Sequence, residues 1–216
     1  MGVVSEIKEY RGRVSVSVDG YLLVRMSSRH FKKCPLEEGQ AIDDEAYLSE
    51  VAELQYPEAY EAALTRLESC ARTEQDMRTA LSRKGYVDLA VDRVLMRLTR
   101  AGLLNDQEYA QRFVESRTHR PVGRYQISRQ LRQKGVDRDT AQAALEQIDD
   151  EQQQNAALEL ARKLSARYAG QPARSARAKL SQAMARRGFS WDDISWALNQ
   201  LEEQDALFSE DEWDFE

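Results

Sequence analysis

The chain has 216 residues, 42% of them hydrophobic, a formal net charge of −6, two cysteines and two histidines. Its apolar runs are only a few residues long, which excludes a membrane-spanning helix. The start, "MGVVSEIKEY", has no basic stretch followed by an apolar core, so a cytoplasmic location is expected. Cys34 and Cys70 stand apart from each other, and His30 and His119 lie in separate regions. These are too few well-spaced ligands for a structural metal, and both thiols read as small buried hydrophobes.

Residues 1–56 read as a β unit with a linker. In "GRVSVSVDGYLLVRMS", Val14, Val16 and Val18 alternate with polar residues. Asp19-Gly20 supplies a type I′ turn, and Tyr21 to Met26 returns as the second strand of a hairpin. "VVSEIKEY" is a candidate third strand.

Near residue 57 the apolar period changes to that of a helix and stays so to about residue 203. Three related phrases recur in this stretch: "LSRKGYVDLAVDRVL", "LRQKGVDRDTAQAAL" and "MARRGFSWDDISWAL". Their glycines, Gly85, Gly135 and Gly188, are 50 and 53 residues apart. Aligned on them, Leu95, Leu145 and Leu198 coincide, as do Val91, Ala141 and Ile194, and Met77, Ile127 and Leu180. Two helix faces are thus rebuilt three times, and a further helix precedes each pair, at about 58–70, 106–119 and 152–168. The body therefore reads as tandem three-helix repeats over 57–104, 105–150 and 151–203. The expected fold is mainly α, an elongated curved stack behind a small N-terminal β unit, able to exist as a monomer.

Each glycine is read as the left-handed residue that ends a helix. It is followed by Tyr86, Val136 or Phe189, which would touch Leu81, Leu131 or Met184 across a Schellman motif. Asp88, Asp137 and Ser190 are expected N-caps of the next helices, the last with Asp193 as a capping-box partner. Thr73 with Asp76, and Asn105 with Glu108, mark two further helix starts.

Basic residues lie beside every glycine: Arg83 and Lys84, Arg132 and Lys134, Arg186 and Arg187. Cations in a last turn are favoured by the helix dipole, which needs no ligand. Each repeat nevertheless carries two, and Arg117, Arg120, Arg124, Arg129, Arg162, Arg167, Arg174, Arg177 and Lys179 lie nearby. Stacked repeats would align such residues into a stripe suited to phosphates. Charge is divided accordingly: 57–201 is net +5, whereas 202–216 is net −8. Both readings, solvated helix ends and a polyanion-facing stripe, stay open.

No phosphate-binding loop, HExxH or GxSxG is present, and the carboxylates sit at caps and on exposed faces. Asp149-Asp150-Glu151 reads as a solvated inter-helix junction. The expectation is a binding protein with no catalytic residues, cofactor or metal. Trp191 and Trp196 are expected in the core of the last helix. The acidic tail 204–216 reads as disordered, although Phe208, Trp213 and Phe215 could anchor it on the protein's own basic stripe.

The segment "LTRAGLLNDQEYAQRFVESRTHRPVGRYQISRQLRQKGV" resembles the central repeat of the RecX family, bacterial regulators of the RecA recombinase. Gly102 to Asp106, Tyr109-Ala110, Phe113-Val114, Arg117, Gly123, Ile127, Leu131 and Lys134-Gly135 carry the resemblance. "ARTEQDMRTALSRKGY" is similar to the first repeat, and the likeness extends over about 60–201. Asp76, Asn105 and Tyr109 are conservative departures from the family pattern. The resemblance implies a non-catalytic regulator acting in DNA repair, recombination and the SOS response. Such a protein would bind RecA filaments on single-stranded DNA and limit filament extension, ATP hydrolysis, strand exchange and co-protease activity. By matching position, the implied RecA or DNA contacts are Arg83, Lys84, Arg117, Arg124, Arg132, Lys134, Arg186 and Arg187. The alternative is a stand-alone helical-repeat protein that binds nucleic acid and acts only by competing for DNA.

Overall fold

The computed structural model describes residues 1–118 and 120–210, with side chains described to Glu203. The chain divides into two compact units, Met1–Asn105 and Asp106–Glu216.

The first unit opens with strands β1 (Gly2–Tyr10), β2 (Arg13–Val18) and β3 (Tyr21–Ser27), followed by a one-turn helix α1 (Ser28–Phe31) and a short strand β4 (Ala41–Ile42). All pairings are antiparallel, in the order β3-β2-β1-β4. The expected hairpin is present, with Val14 opposite Met26 and Val16 opposite Val24. Alternation buries Val14, Val16, Val18, Val24 and Met26 on one face. "VVSEIKEY" is the third strand, and its turn onto β2 is Arg11-Gly12, with φ of 49° and 75°. Asp19-Gly20 has nearly the same pair of angles, 49° and 85°. Both are therefore type I′ turns, whose twist matches that of the strands.

Helices α2 (Asp44–Ser69), α3 (Glu74–Lys84) and α4 (Asp88–Arg100) complete the unit. The first of these corrects the sequence reading. It begins at Asp44, capped by the Asp43 carboxylate, and runs through Pro57, where a helix start was expected. Its buried face, Tyr47, Val51, Gln55, Ala59 and Ala63, recurs every four residues across the proline. The first half of that face packs on the sheet and the second half on the core of α3 and α4.

A fully buried polar side chain lies between those halves. Gln55 accepts a hydrogen bond from the Val87 N–H at 2.7 Å. Its amide nitrogen also lies 3.4 Å from His30 Nδ1. Here too the sequence reading is corrected: the cap position of α4 is Val87, not Asp88, and Val87 offers no side-chain acceptor.

The second unit contains α5 (Asp106–Thr118), α6 (Arg124–Gln133), α7 (Arg138–Leu145), α8 (Asp150–Ser165) with a 3₁₀ turn at Ala166–Tyr168, α9 (Ala173–Arg186) and α10 (Trp191–Glu210). Two cores serve it, one under α5 to α7 and one under α8 to α10. The backbone of α10 continues through Glu210, so its helix includes the first part of the acidic tail. Trp213, Phe215 and His119 lie outside the described residues.

Gly85, Gly135 and Gly188 all have left-handed backbones, with φ of 93°, 83° and 83°. Each donates its N–H to the carbonyl three residues back, Ser82, Arg132 and Ala185, at 2.9, 3.0 and 2.9 Å. At the second and third sites the longer Schellman bond is also made: Val136 N–H to Leu131 O at 3.1 Å and Phe189 N–H to Met184 O at 3.4 Å. Leu81, Leu131 and Met184 are fully buried, and Tyr86, Val136 and Phe189 nearly so.

The expected caps at Thr73, Asp137 and Ser190 are formed, the last as a reciprocal box with Asp193. Two other expectations fail. Cys70 is exposed, unlike Cys34. Trp191 is 69% exposed, because it is the first residue of α10 and the core of that helix begins at Ile194.

Candidate polyanion-binding surface

The residues before each glycine have two distinct jobs. Their carbonyls end a helix and need donors, while their side chains leave the helix end. At the end of α3 the donor is a side chain: Arg13 Nη2 of strand β2 gives a 2.7 Å hydrogen bond to the Arg83 carbonyl. At the end of α9 the donors are backbone. Gly123 N–H reaches the Arg187 carbonyl at 3.0 Å, and Tyr125 N–H reaches the Gly188 carbonyl at 3.1 Å.

The C-terminal end of α9 thus abuts the N-terminal end of α6, where Gly123 caps without a side chain. Orphan carbonyls of one helix meet orphan amides of the other, and the two helix dipoles meet with opposite sign. The approach is so close that a Cβ on Gly123 would lie 2.0 Å from Gly188 O, and one on Gly188 2.2 Å from Gln126 N.

The side chains of the glycine-turn cations point outward. Arg83, Lys84, Arg132, Arg186 and Arg187 are exposed, and none has an ion-pair partner among the described residues. Lys134 is half-buried and has a partner.

Arg117 and Arg124 are committed within the fold. The Arg117 guanidinium lies 4.8 Å from the centre of the Phe113 ring, which stacks in turn on Tyr109. Arg124 Nη2 donates to the Ile148 carbonyl at 2.5 Å and pairs with Asp150 at 2.7 Å, tying the start of α6 to the α7–α8 junction. The structure therefore places Arg83 and Lys84 together on the first unit. On the second unit it brings Arg124 and Arg132 to one groove, and it joins Arg124 through the backbone junction to Arg186 and Arg187.

That groove has a volume of about 780 Å³ and is walled by α6, α7 and the start of α10. Two of its residues were not anticipated from sequence. Tyr125 is 69% exposed, and Arg138 lies on the opposite wall with no ion-pair partner among the described residues. A signal for Tyr125 existed: it is two residues before Ile127, off the Ile127/Leu131 stripe, and so must face outward. Acidic groups share the groove: Glu146, Asp149, Asp150 and Asp193 also line it. Asp137, next to Arg138 in sequence, caps α7 by accepting from the Asp139 and Thr140 N–H groups at 3.0 and 2.9 Å. Hydrogen bonds led by the one from the Thr140 side chain hold its carboxyl below the usual range.

The arrangement can bind anions through guanidinium forks and present an aromatic face. Among the described residues there is no cluster of three or more His, Cys, Asp or Glu suited to a metal ion, and no helix is long and apolar enough to cross a membrane.

Comparison with known proteins matches three family models in succession. Residues 59–98, 105–145 and 150–198 match the first, second and third three-helix domains of RecX. The regulatory protein RecX of Amycolatopsis mediterranei is 36% identical over 138 residues, spanning 63% of this chain and 79% of that protein. The one from Clostridioides difficile is 25% identical over 205 residues, 93% of this chain and 96% of its own length. Among solved structures, a crystal structure of regulatory protein RecX superposes with a TM-score of 0.66 at 27% identity, covering 92% of this chain and all of that one. RecX from Lactobacillus salivarius gives 0.65 at 28% identity, covering 68% and 97%. The repeat read from glycine spacing is the repeat of those models, and the chain belongs to the RecX family of regulatory proteins.

Proposed function

We propose that this chain binds RecA filaments assembled on single-stranded DNA and negatively modulates RecA. It would limit filament extension and thereby ATP hydrolysis, strand exchange and co-protease activity, in the cytoplasm and without catalysis of its own. One observation carries the reading beyond family membership. The helix that ends at each repeat glycine carries exposed cations, Arg83-Lys84, Arg132 and Arg186-Arg187, whose side chains have no ion pair among the described residues. The helix dipole favours one cation at each of these ends, but two of the three ends carry an exposed pair, more than the dipole alone requires. These five are the proposed direct contacts. Arg117, Arg124 and Lys134 complete the set, with Arg117 and Arg124 also holding the local shape.

The test is RecA's single-stranded-DNA-dependent ATP hydrolysis, titrated with this protein at fixed, saturating DNA. Inhibition well below the concentration that coats the DNA supports action on the filament. Charge reversal at Arg132, Arg186 and Arg187 should then relieve it. Inhibition only at coating ratios, relieved by more DNA, would instead mean simple competition for DNA.

A further inference from the structure

We propose that a groove on the first repeat, between α2 and α4, is a stacking site for single-stranded nucleic acid. It is separate from the basic glycine turns and does not depend on a recombinase partner. The groove has a volume of about 500 Å³ and is lined by Tyr56 and Tyr60 from α2 and by Arg93, Met96, Arg97 and Arg100 from α4.

The two tyrosines, one helical turn apart, are stacked with ring centres 6.0 Å apart and planes within 17°. Both also pack against the buried core of the repeat, so the platform is held in place by the fold. Met96, 52% exposed, extends the apolar floor.

The three arginines differ in what already occupies them. Arg93 pairs with Glu53 and reaches Ser49. Arg97 and Arg100 are exposed and have no ion pair or side-chain hydrogen bond among the described residues. Three residues apart on one helix, they are neighbours on its surface, separated by roughly 4.5 Å of rise. The groove therefore sets two near-parallel tyrosine rings beside two guanidinium groups with no ion pair among the described residues.

That combination selects the occupant. A polynucleotide presents a flat ring and an anion in every unit, so one residue of the ligand satisfies both halves of the site. Bases in a duplex are already stacked on one another, which leaves single strands as the substrate class. An acidic peptide matches the arginines, but its carboxylates sit on flexible stems and leave the tyrosine faces uncovered. The groove volume falls within the range of about 300–1,000 Å³ typical of small-ligand sites and can hold a single unstacked nucleotide.

The experiment uses the full chain and a fluorescein-labelled oligothymidylate, with binding followed by anisotropy across a salt series and no RecA present. In Arg97→Gln/Arg100→Gln the slope of log affinity against log salt should shrink by about 1.4, from two phosphate contacts at about 0.7 each for single strands. Tyr60→Leu, which keeps an apolar side chain against the core, should weaken binding by about 5- to 150-fold, the range spanned by stacking one base. An oligonucleotide carrying 5-iododeoxyuridine should photo-crosslink to Tyr56 or Tyr60.

Unchanged slope and affinity in these variants, or crosslinks confined to other residues, would overturn the proposal, as would no binding by the parent chain. Arg97/Arg100-dependent capture of a glutamate–tyrosine peptide, with no such dependence for the oligonucleotide, would overturn it in favour of acidic peptides. Matching far-UV dichroism and urea midpoints identify variants that are folded. Because Arg97 and Arg100 lie outside the glycine-turn set, these outcomes are independent of the ATPase titration.

Discussion

Alanine at three glycines separates two costs that the α6–α9 junction combines. At Gly85 the backbone is left-handed, but a Cβ would meet only Arg13 Cζ, at 3.8 Å. Gly85→Ala should therefore cost only the conformational term, about 1–2 kcal/mol. At Gly123 the backbone is ordinary, with φ of −79°. The added carbon would instead sit 2.0 Å from Gly188 O, and the two helix ends must part. Losing the Gly123–Arg187 and Tyr125–Gly188 hydrogen bonds costs about 0.5–1.5 kcal/mol each, or about 1–3 kcal/mol together. Gly188→Ala incurs both terms, about 2–5 kcal/mol. The double variant Gly123→Ala/Gly188→Ala should then cost little more than Gly188→Ala, since the same bonds cannot be lost twice. Urea unfolding gives the totals, and amide exchange at Gly123 and Tyr125 gives the local effect. Protection of Tyr125 undiminished in Gly123→Ala, or strictly additive costs in the double variant, would refute the junction's role.

Gln55→Leu should destabilise the first unit by about 1–3 kcal/mol, because the buried Val87 N–H loses its acceptor; a urea midpoint equal to the parent's would contradict this. Asp150→Asn should cost less than about 0.5 kcal/mol, since that carboxylate is 82% exposed. Arg124→Ala should cost more, because the Ile148 carbonyl also loses its donor, and comparing the two urea midpoints checks the order. Stability should also fall in alkali. Burial above all raises the Cys34 thiol from its ordinary 9.0 and the Tyr86 hydroxyl from 10.0. Both stay protonated in the folded chain while the unfolded chain releases protons. Their contribution is complete below about pH 9 and is lost as pH rises through the raised values. Thermal midpoints between pH 7 and pH 11 read this, and Cys34→Ala should delay the onset.

What could be read from sequence was what depends on residues close together along the chain. The Schellman turns at Gly135 and Gly188 use contacts within six residues, and the Thr73 and Ser190 caps use contacts within three. Features with partners far away in sequence were missed. Pro57 reads locally as a helix start, yet the apolar stripe on both sides of it is held by two different cores. Asp88 has a cap's composition, but the nearby N–H of Val87 is satisfied from Gln55, 32 residues earlier. The Gly123–Gly188 approach leaves no local mark, because neither glycine reveals its partner. The exposed cations of the glycine turns were legible as chemistry. The Tyr56/Tyr60 platform was not, since aromatic residues four apart on a helix read equally well as core.

The course of α2 through both cores of the first unit has a consequence for how such a chain can be cut or shuffled. Tyr47, Val51 and Ala52 of that helix, with Val87 and Ala90 at the start of α4, are covered on the side that includes the sheet. The same helix supplies Ala59 and Ala63 to the repeat. Sheet and first repeat thus share one continuous rod, and folding of either helps to pay for ordering the other. A gene segment ending at residue 56 would divide a helix, strip apolar positions from both products and remove the Gln55 acceptor from α4. The β unit is in this sense half of the first repeat's foundation, and a family member lacking it needs different residues on that flank of its first repeat.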